Sequence, residues 1–275
     1  MMDKEKTFIG EDGLIYCSVC KEPKQAWLPE NNLLGVRIRY RQCACERDAN
    51  AMKKAEQEEK ERRVQIARNR RICFDEVAMK NCTFANAEEM TPVIDKAKKY
   101  VDNWDKMKQK SKGLLFWGPL GTGKSYVATC IANALLERNV TVKMTNFNTI
   151  VDTMFRAENK TEYMNELSRC SLLIIDELGL ERSSEYALGI IFDVIDHRYR
   201  SGKPLITTTN LPLKEIKGES NINKRRIYDR ILERCTPILV DGENKREKTA
   251  EKNMKYLKTI FEDKETQTTH DPHNA

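Results

Sequence analysis

Gly113-Leu114-Leu115-Phe116-Trp117-Gly118-Pro119-Leu120-Gly121-Thr122-Gly123-Lys124-Ser125 is an apolar, strand-like run that enters a glycine-rich turn and ends in Lys-Ser. Each part of that spelling has a chemical use. Glycines let backbone N–H groups curl around a chain of phosphates, Lys124 reaches the β- and γ-phosphates, and the Ser125 hydroxyl binds Mg2+. Beyond the turn, Val127, Ala128, Ile131, Ala132 and Leu135 recur at helical spacing, so the turn opens a helix whose positive N-terminal dipole faces the phosphates. Strand, turn and helix come in the order that a P-loop requires. The nucleotide-binding stretch is therefore Gly118, Pro119, Leu120, Gly121, Thr122, Gly123, Lys124, Ser125 and Tyr126.

Its partner is Leu172-Leu173-Ile174-Ile175-Asp176-Glu177. A fully apolar strand is what a buried parallel sheet requires, and the two acids stand at its carboxyl end, where open α/β sheets bind ligands. Asp176 is placed to hold Mg2+ and Glu177 to polarise the attacking water. Further on, Leu205-Ile206-Thr207-Thr208-Thr209-Asn210 is another strand ending in polar residues, with the Asn210 amide a candidate γ-phosphate sensor. Val140 to Met144 and Ile238 to Val240 predict two more strands. A helix is expected around Ile150, Met154 and Phe155, and another capped by Ser183 or Ser184 with Leu188, Ile191, Phe192 and Ile195 as its stripe. A third, from Ile222 to Cys235, buries Tyr228, Ile231, Leu232 and Cys235 and turns Arg226, Asp229, Arg230 and Glu233 outward. An outward arginine here reads either as a finger for a neighbouring subunit's nucleotide or as a solvated basic face. Arg246 falls in a charged loop, and from Asp263 onward the scarcity of apolar residues predicts a disordered tail in which His270 and His273 do not bind metal.

The chain of 275 residues holds one ordinary domain with a smaller appendage. No apolar run reaches the roughly 20 residues of a membrane span, and the N-terminus lacks an apolar signal core, so a cytoplasmic protein without membrane contact is expected. In that compartment the nine cysteines are buried thiols or metal ligands rather than disulfides. Cys17-Ser18-Val19-Cys20 and Cys43-Ala44-Cys45 make two close thiol pairs around the alternating Val36-Arg37-Ile38-Arg39-Tyr40, a segment long enough to fold back as a hairpin. Four thiolates match structural Zn2+, with no open position for water. The tight Cys43-x-Cys45 gap keeps a second reading open, two unrelated thiol pairs in a small apolar unit. The net charge of +6 permits an anionic partner without requiring one.

Residues 46–71 are almost entirely charged residues and alanine, with no Gly or Pro, and predict a long exposed helix with a basic far end. A solvated spacer and a nucleic-acid contact both fit it. Phe74, Val77, Met79 and Phe84 then mark a packing junction, with Cys73 and Cys82 as buried thiols. Pro92 opens a helix with Val93, Ala97, Tyr100, Val101 and Trp104, followed by a polar loop from Lys106 to Lys112.

With these pieces placed, the chain resembles the AAA+ ATPases, and within them the DnaC/DnaI-type replicative helicase loaders and the related IstB transposition ATPases. The resemblance covers about Phe74 to Met254, and the cysteine-bearing front end is similar to a loader's helicase-binding domain. It implies an α/β fold, a P-loop NTPase with a parallel sheet flanked by helices, after a small zinc-binding domain and a helical linker. The domains would be 1–46 (zinc-binding, helicase-interacting), 47–72 (linker), 73–262 (AAA+ ATPase) and 263–275 (tail). Gly118 to Ser125 would be Walker A, Asp176 and Glu177 Walker B, Asn210 sensor I, Arg230 the arginine finger, and Arg246 the sensor II arginine, although Asn244-Lys245-Arg246 departs from the usual Ser-Tyr-Arg. By the same resemblance, ATP and Mg2+ would sit between subunits of a homo-oligomeric ring or spiral that grips single-stranded DNA. The zinc module would bind a hexameric replicative helicase. Lys143, Lys214, Lys217, Lys224 and Arg225 are candidates for the DNA surface, while Phe147 reads as buried against the sheet. Two other functions stay open: an IstB-like transposition helper acting on duplex DNA, and a non-hydrolysing adaptor switched by ATP.

Overall fold

The computed structural model describes residues 6–30, 35–74, 78–87, 91–179 and 184–265. Val77, Ser183, His270 and His273 lie outside the described residues. The chain divides into two compact units, Met1–Gln65 and Ile66–Ala275. No helix among the described residues is long and apolar enough to cross a membrane.

In the small unit β1 (Thr7–Ile9) pairs antiparallel with β2 (Ile15–Cys17), and β3 (Gln25–Trp27) with β4 (Ile38–Tyr40). The second pair is the hairpin that the alternating run predicts. Its strands bring the two cysteine pairs together: Cys17 ends β2, Cys20 follows in a turn, and Cys43 and Cys45 flank the first residue of helix α1 (Ala44–Cys73). Little apolar surface is buried here; Leu14, Cys17 and Cys43 are the core among the described residues of this unit. Polar ties support it instead. Glu46 accepts from the Tyr40 hydroxyl at 2.6 Å and the Cys43 N–H at 3.2 Å, and pairs with Lys24 at 2.9 Å.

The larger unit is built on a sheet in the order β6 (Val142–Asn146), β7 (Leu172–Leu178), β8 (Leu205–Thr209), β5 (Gly113–Trp117), β9 (Cys235–Leu239), with every pair parallel. Alternation along the strands separates two cores, one on each face. Leu114, Phe116, Leu172, Ile174 and Ile206 pack against α2 (Pro92–Asp102) and α4 (Lys124–Glu137). Leu115, Leu173, Ile175 and Leu205 face α5 (Phe147–Arg156), α7 (Glu185–Arg200) and α9 (Ile222–Arg234). Both faces are covered, which is why these strands read as unbroken apolar runs. Pro237 stands in β9, an edge strand, where a missing N–H costs no ladder bond. Ser184 caps α7, accepting from the Ala187 N–H at 3.2 Å. Phe147 is buried against the sheet as expected, and His197 is exposed.

Two expectations are corrected, and two helices stand where none was predicted. The polar loop at 106–112 is largely helical, α3 (Trp104–Gln109), because buried Trp104 and partly buried Met107, three residues apart, give one short turn an apolar face. α6 (Lys160–Arg169), with no counterpart among the predicted helices, is capped by Asn159 and packs Tyr163, Met164 and Leu167 against the second core. α8 (Leu213–Lys217) is a single turn anchored by buried Ile216. Lastly, Arg246 is not in a loop: it lies in the first turn of α10 (Lys245–Glu265), which also takes in Asp263, Lys264 and Glu265, all expected in the tail. Strong helix formers without Gly or Pro carry that helix despite its few apolar residues.

Candidate functional site

Because β8 lies between β5 and β7, the carboxyl ends of three strands converge at one rim of the sheet. The P-loop leaves β5 there and enters α4. Its backbone takes left-handed values at Gly118 (φ 145°) and Gly121 (φ 77°), which side chains other than glycine rarely adopt. A Cβ on Gly121 would also lie 1.8 Å from Asn244 Oδ1. The Lys245 N–H donates to Gly121 O at 3.0 Å, so the start of α10 is fastened to the loop. The Lys124 ammonium donates to Gly118 O at 3.0 Å and Pro119 O at 2.5 Å, curled into the turn it closes. Burial pushes its pKa down; Asp176 opposes that shift and Arg246 adds to it.

Across the rim the Ser125 hydroxyl donates to Asp176 Oδ1 at 3.0 Å. Thr208 also donates its hydroxyl proton to that oxygen, and accepts from the Glu177 N–H at 3.1 Å. The ladder between β7 and β8 is irregular at this point: Ile175 pairs with Thr207 and Leu178 with Thr209, so Asp176 and Glu177 share Thr208. This is a β-bulge, with Glu177 held at φ 63°. The bulge lifts Glu177 out of strand alternation to line the same cleft as the P-loop.

That cleft has a volume of about 770 Å3, within the usual range for a small-molecule site. Leu120 to Tyr126, Glu177, Asn210 and Arg246 line it, together with Thr91 and Ile94 from the start of α2. Of the anticipated site residues, Arg230 lies elsewhere. Its guanidinium stacks on Phe192 at 4.4 Å and pairs with Asp196 at 2.8 Å, with Arg226 stacked on the same ring at 4.3 Å. Within a single subunit it does not reach the cleft. Thr208 was missed by sequence reasoning, since a threonine inside a threonine-rich strand carries no motif. Lys143, offered as a DNA contact, is tied to Glu166 at 3.7 Å and to Ile72 O at 3.2 Å.

The anion-cradling turn with a lysine fits a triphosphate, and the paired Ser125 and Asp176 oxygens fit Mg2+. In the small unit the ligand atoms of Cys17, Cys20, Cys43 and Cys45 all lie within 4.8 Å of one another, against about 3.8 Å between sulfurs in an ideal tetrahedral Zn–S4 site. Backbone N–H groups of Cys45 and Glu22 directed at Cys20 hold its thiol down at about 6, while Cys20 in turn pushes Cys45 up to about 11. Four sulfurs this close cannot all carry charge unaided, which is the demand that a divalent cation meets.

Residues 105–253, more than half of the chain, match the model of a family described as IstB-like ATP binding protein. The replicative helicase loader DnaC of Escherichia coli (strain K12) is 32% identical over 160 residues, 55% of this chain and 63% of that one. The replicative helicase loader DnaI of Bacillus subtilis (strain 168) is 27% identical over 150 residues, 50% of this chain and 48% of that one. The chain thus spans less than two thirds of the length of these curated relatives. Among solved structures, that of DnaI superposes with a TM-score of 0.54 at 21% identity, covering 62% of this chain and 94% of the other. The DnaC helicase loader gives a TM-score of 0.52 at 20% identity over 60% of this chain and all (100%) of the other. The fold is the expected AAA+ P-loop arrangement, and the chain belongs to the family of IstB-like ATP-binding proteins.

Proposed function

We propose that this protein is an ATPase that loads a hexameric replicative helicase onto single-stranded DNA. The observation that carries the reading is the meeting of Ser125, Asp176 and Glu177 at one rim of the sheet, with the Ser125 hydroxyl on Asp176 and Glu177 turned into the P-loop cleft. Backbone N–H groups of residues 120–125 and the Lys124 ammonium would bind the phosphates, and Asn210 and Arg246 would contact the terminal one. Glu177 would take a proton from the attacking water. Mg2+ held at Ser125 and Asp176 would supply neutralisation of phosphate charge. Arg230 would complete the site of a neighbouring subunit in a homo-oligomer.

Loading is supported by the names of the relatives and by two surfaces. On the larger unit, Phe155 (74% exposed) and Tyr186 (52% exposed) meet edge to face at 6.4 Å, with the Lys160 ammonium 3.3 Å from the Tyr186 hydroxyl. Aromatic faces beside a cation suit stacked, unpaired bases. On the small unit, Trp27 and its cross-strand partner Ile38, with Tyr40 two residues further along the same face, are exposed, an apolar patch suited to a protein partner. Zn2+ on Cys17, Cys20, Cys43 and Cys45 would hold that unit in shape.

The test compares Lys124→Ala with Glu177→Gln in the full chain. Lys124→Ala should lose binding of a fluorescent ATP analogue while its melting curve stays put. Glu177→Gln should bind normally but turn over at least about 100-fold more slowly with single-stranded DNA present. Equal turnover in wild type and Glu177→Gln would favour the adaptor. Anisotropy titrations with single-stranded and duplex oligonucleotides separate the loader from a transposition helper, which should prefer duplex.

A further inference from the structure

Three consecutive threonines of β8 each bond to β7 through their side chains. Thr207 donates to Ile175 O at 2.8 Å and Thr209 to Leu178 O at 2.7 Å, the two residues that bracket the bulge. Between them Thr208, 1% exposed, faces both acids: its hydroxyl donates to Asp176 Oδ1 and accepts from the Glu177 N–H. A hydroxyl can give one hydrogen bond and receive another at once, and this one uses both capacities on adjacent residues of the same bulge. Glu177 needs such a tie, because a left-handed backbone at a residue other than glycine persists only where its surroundings hold it. Asp176 Oδ1 likewise receives two hydroxyls, from Ser125 and Thr208, and that pair sets the rotation of the carboxylate.

We propose that Thr208 is a positioning residue for ATP hydrolysis: its hydroxyl locks the bulge that turns Glu177 into the cleft and orients the Asp176 carboxylate for the metal. The proposal rests on the ATPase reading of the cleft. Thr208 borders the cleft, but its hydroxyl is engaged by Asp176 and the Glu177 N–H, so it acts through its two neighbours. The Thr208 hydroxyl bonds to the two acids of β7 and meets the P-loop only by way of Asp176 and Ser125, so its removal should lower turnover far more than nucleotide affinity.

The experiment measures kcat, KM for ATP, nucleotide affinity, the Mg2+ concentration for half-maximal rate and the melting curve for wild type, Thr208→Val, Thr208→Ser and Glu177→Gln, all in the full chain. Thr208→Val keeps the side-chain volume but neither hydrogen-bonding capacity. It should bind nucleotide within about twofold of wild type, lose about 10- to 100-fold in kcat, and need several-fold more Mg2+. Thr208→Ser should recover most of both. If Thr208→Val melts early, Thr208→Ala replaces it with the same expectations. Wild-type kcat in the folded valine or alanine variant overturns the proposal, provided that Glu177→Gln is slow. A serine variant as impaired as valine overturns it too, as does a loss confined to nucleotide affinity. A fast Glu177→Gln would instead remove the ATPase reading itself.

Discussion

Arg198 carries its charge into the interior of the larger unit, where it is 2% exposed. Its guanidinium donates to Pro204 O at 3.1 and 2.6 Å, Cys170 O at 2.9 Å and Ser171 O at 2.9 Å. Those carbonyls stand just before β8 and β7, so one side chain pins the starts of both strands to α7. Burial lowers its pKa, yet an arginine stays charged, and the carbonyls need its planar fork. Arg198→Met should cost about 3 kcal/mol of unfolding free energy, read from a shifted urea midpoint, because three carbonyls lose their donor. Arg198→Lys should rescue little, since one ammonium cannot serve all three; a midpoint within error of wild type for either variant would refute this account. Residues of this kind were not legible beforehand. The meeting of Lys124, Ser125, Asp176 and Glu177 at one rim was, because a glycine-rich turn ending in Lys-Ser and an apolar strand ending in two acids mark it by spacing, whereas Thr208, and Arg198 through Cys170 and Ser171, depend on partners about 30 residues away in sequence.

At the scale of elements, α7 and α9 lock together through Phe192, on whose ring Arg226 and Arg230 stack, and through Asp196, which pairs with Arg230 and with Arg200 at 2.8 Å. The periodicity of α9 was readable, and Tyr228 and Ile231 are buried, but Leu232 is only partly buried and Cys235, expected at the end of the helix, opens β9 instead. What periodicity could not tell is that an outward arginine is already engaged by the next helix. If Arg230 serves a neighbouring subunit, it must exchange Asp196 for phosphate, a trade between two anionic partners. Arg230→Ala should then keep nucleotide affinity yet lower turnover by about 10³-fold in the assembled state. An unchanged rate would withdraw its finger role. The start of α10, joined to Gly121 O by the Lys245 N–H, was misjudged because it follows the turn-forming Asp241-Gly242 and shows no clear apolar face.

For the whole molecule, the contrast between the two units decides how each is stabilised. The larger one has a continuous core on both faces of its sheet, whereas the small one buries few apolar side chains around four clustered cysteines. Metal analysis should find about one zinc per chain. Stripping it with a chelator, or replacing Cys17 by Ser, should expose residues 6–45 to limited proteolysis while ATP-analogue binding persists. A small unit that resists protease without metal would reject the zinc site.

Taken alone, the order of residues determined the P-loop turn, the parallel sheet and the two close thiol pairs, since each depends on spacing along the chain: glycines in a turn, an apolar run ending in acids, thiols two or three apart. Only the tertiary structure decided that Glu177 enters the cleft on a bulge, that Thr208 ties it there, that Arg230 is held by Asp196 and that Arg246 rides on a helix docked to the P-loop. Those features arise where strands and helices remote in sequence are pressed together, and a hydrogen bond between them leaves no periodic mark in either segment.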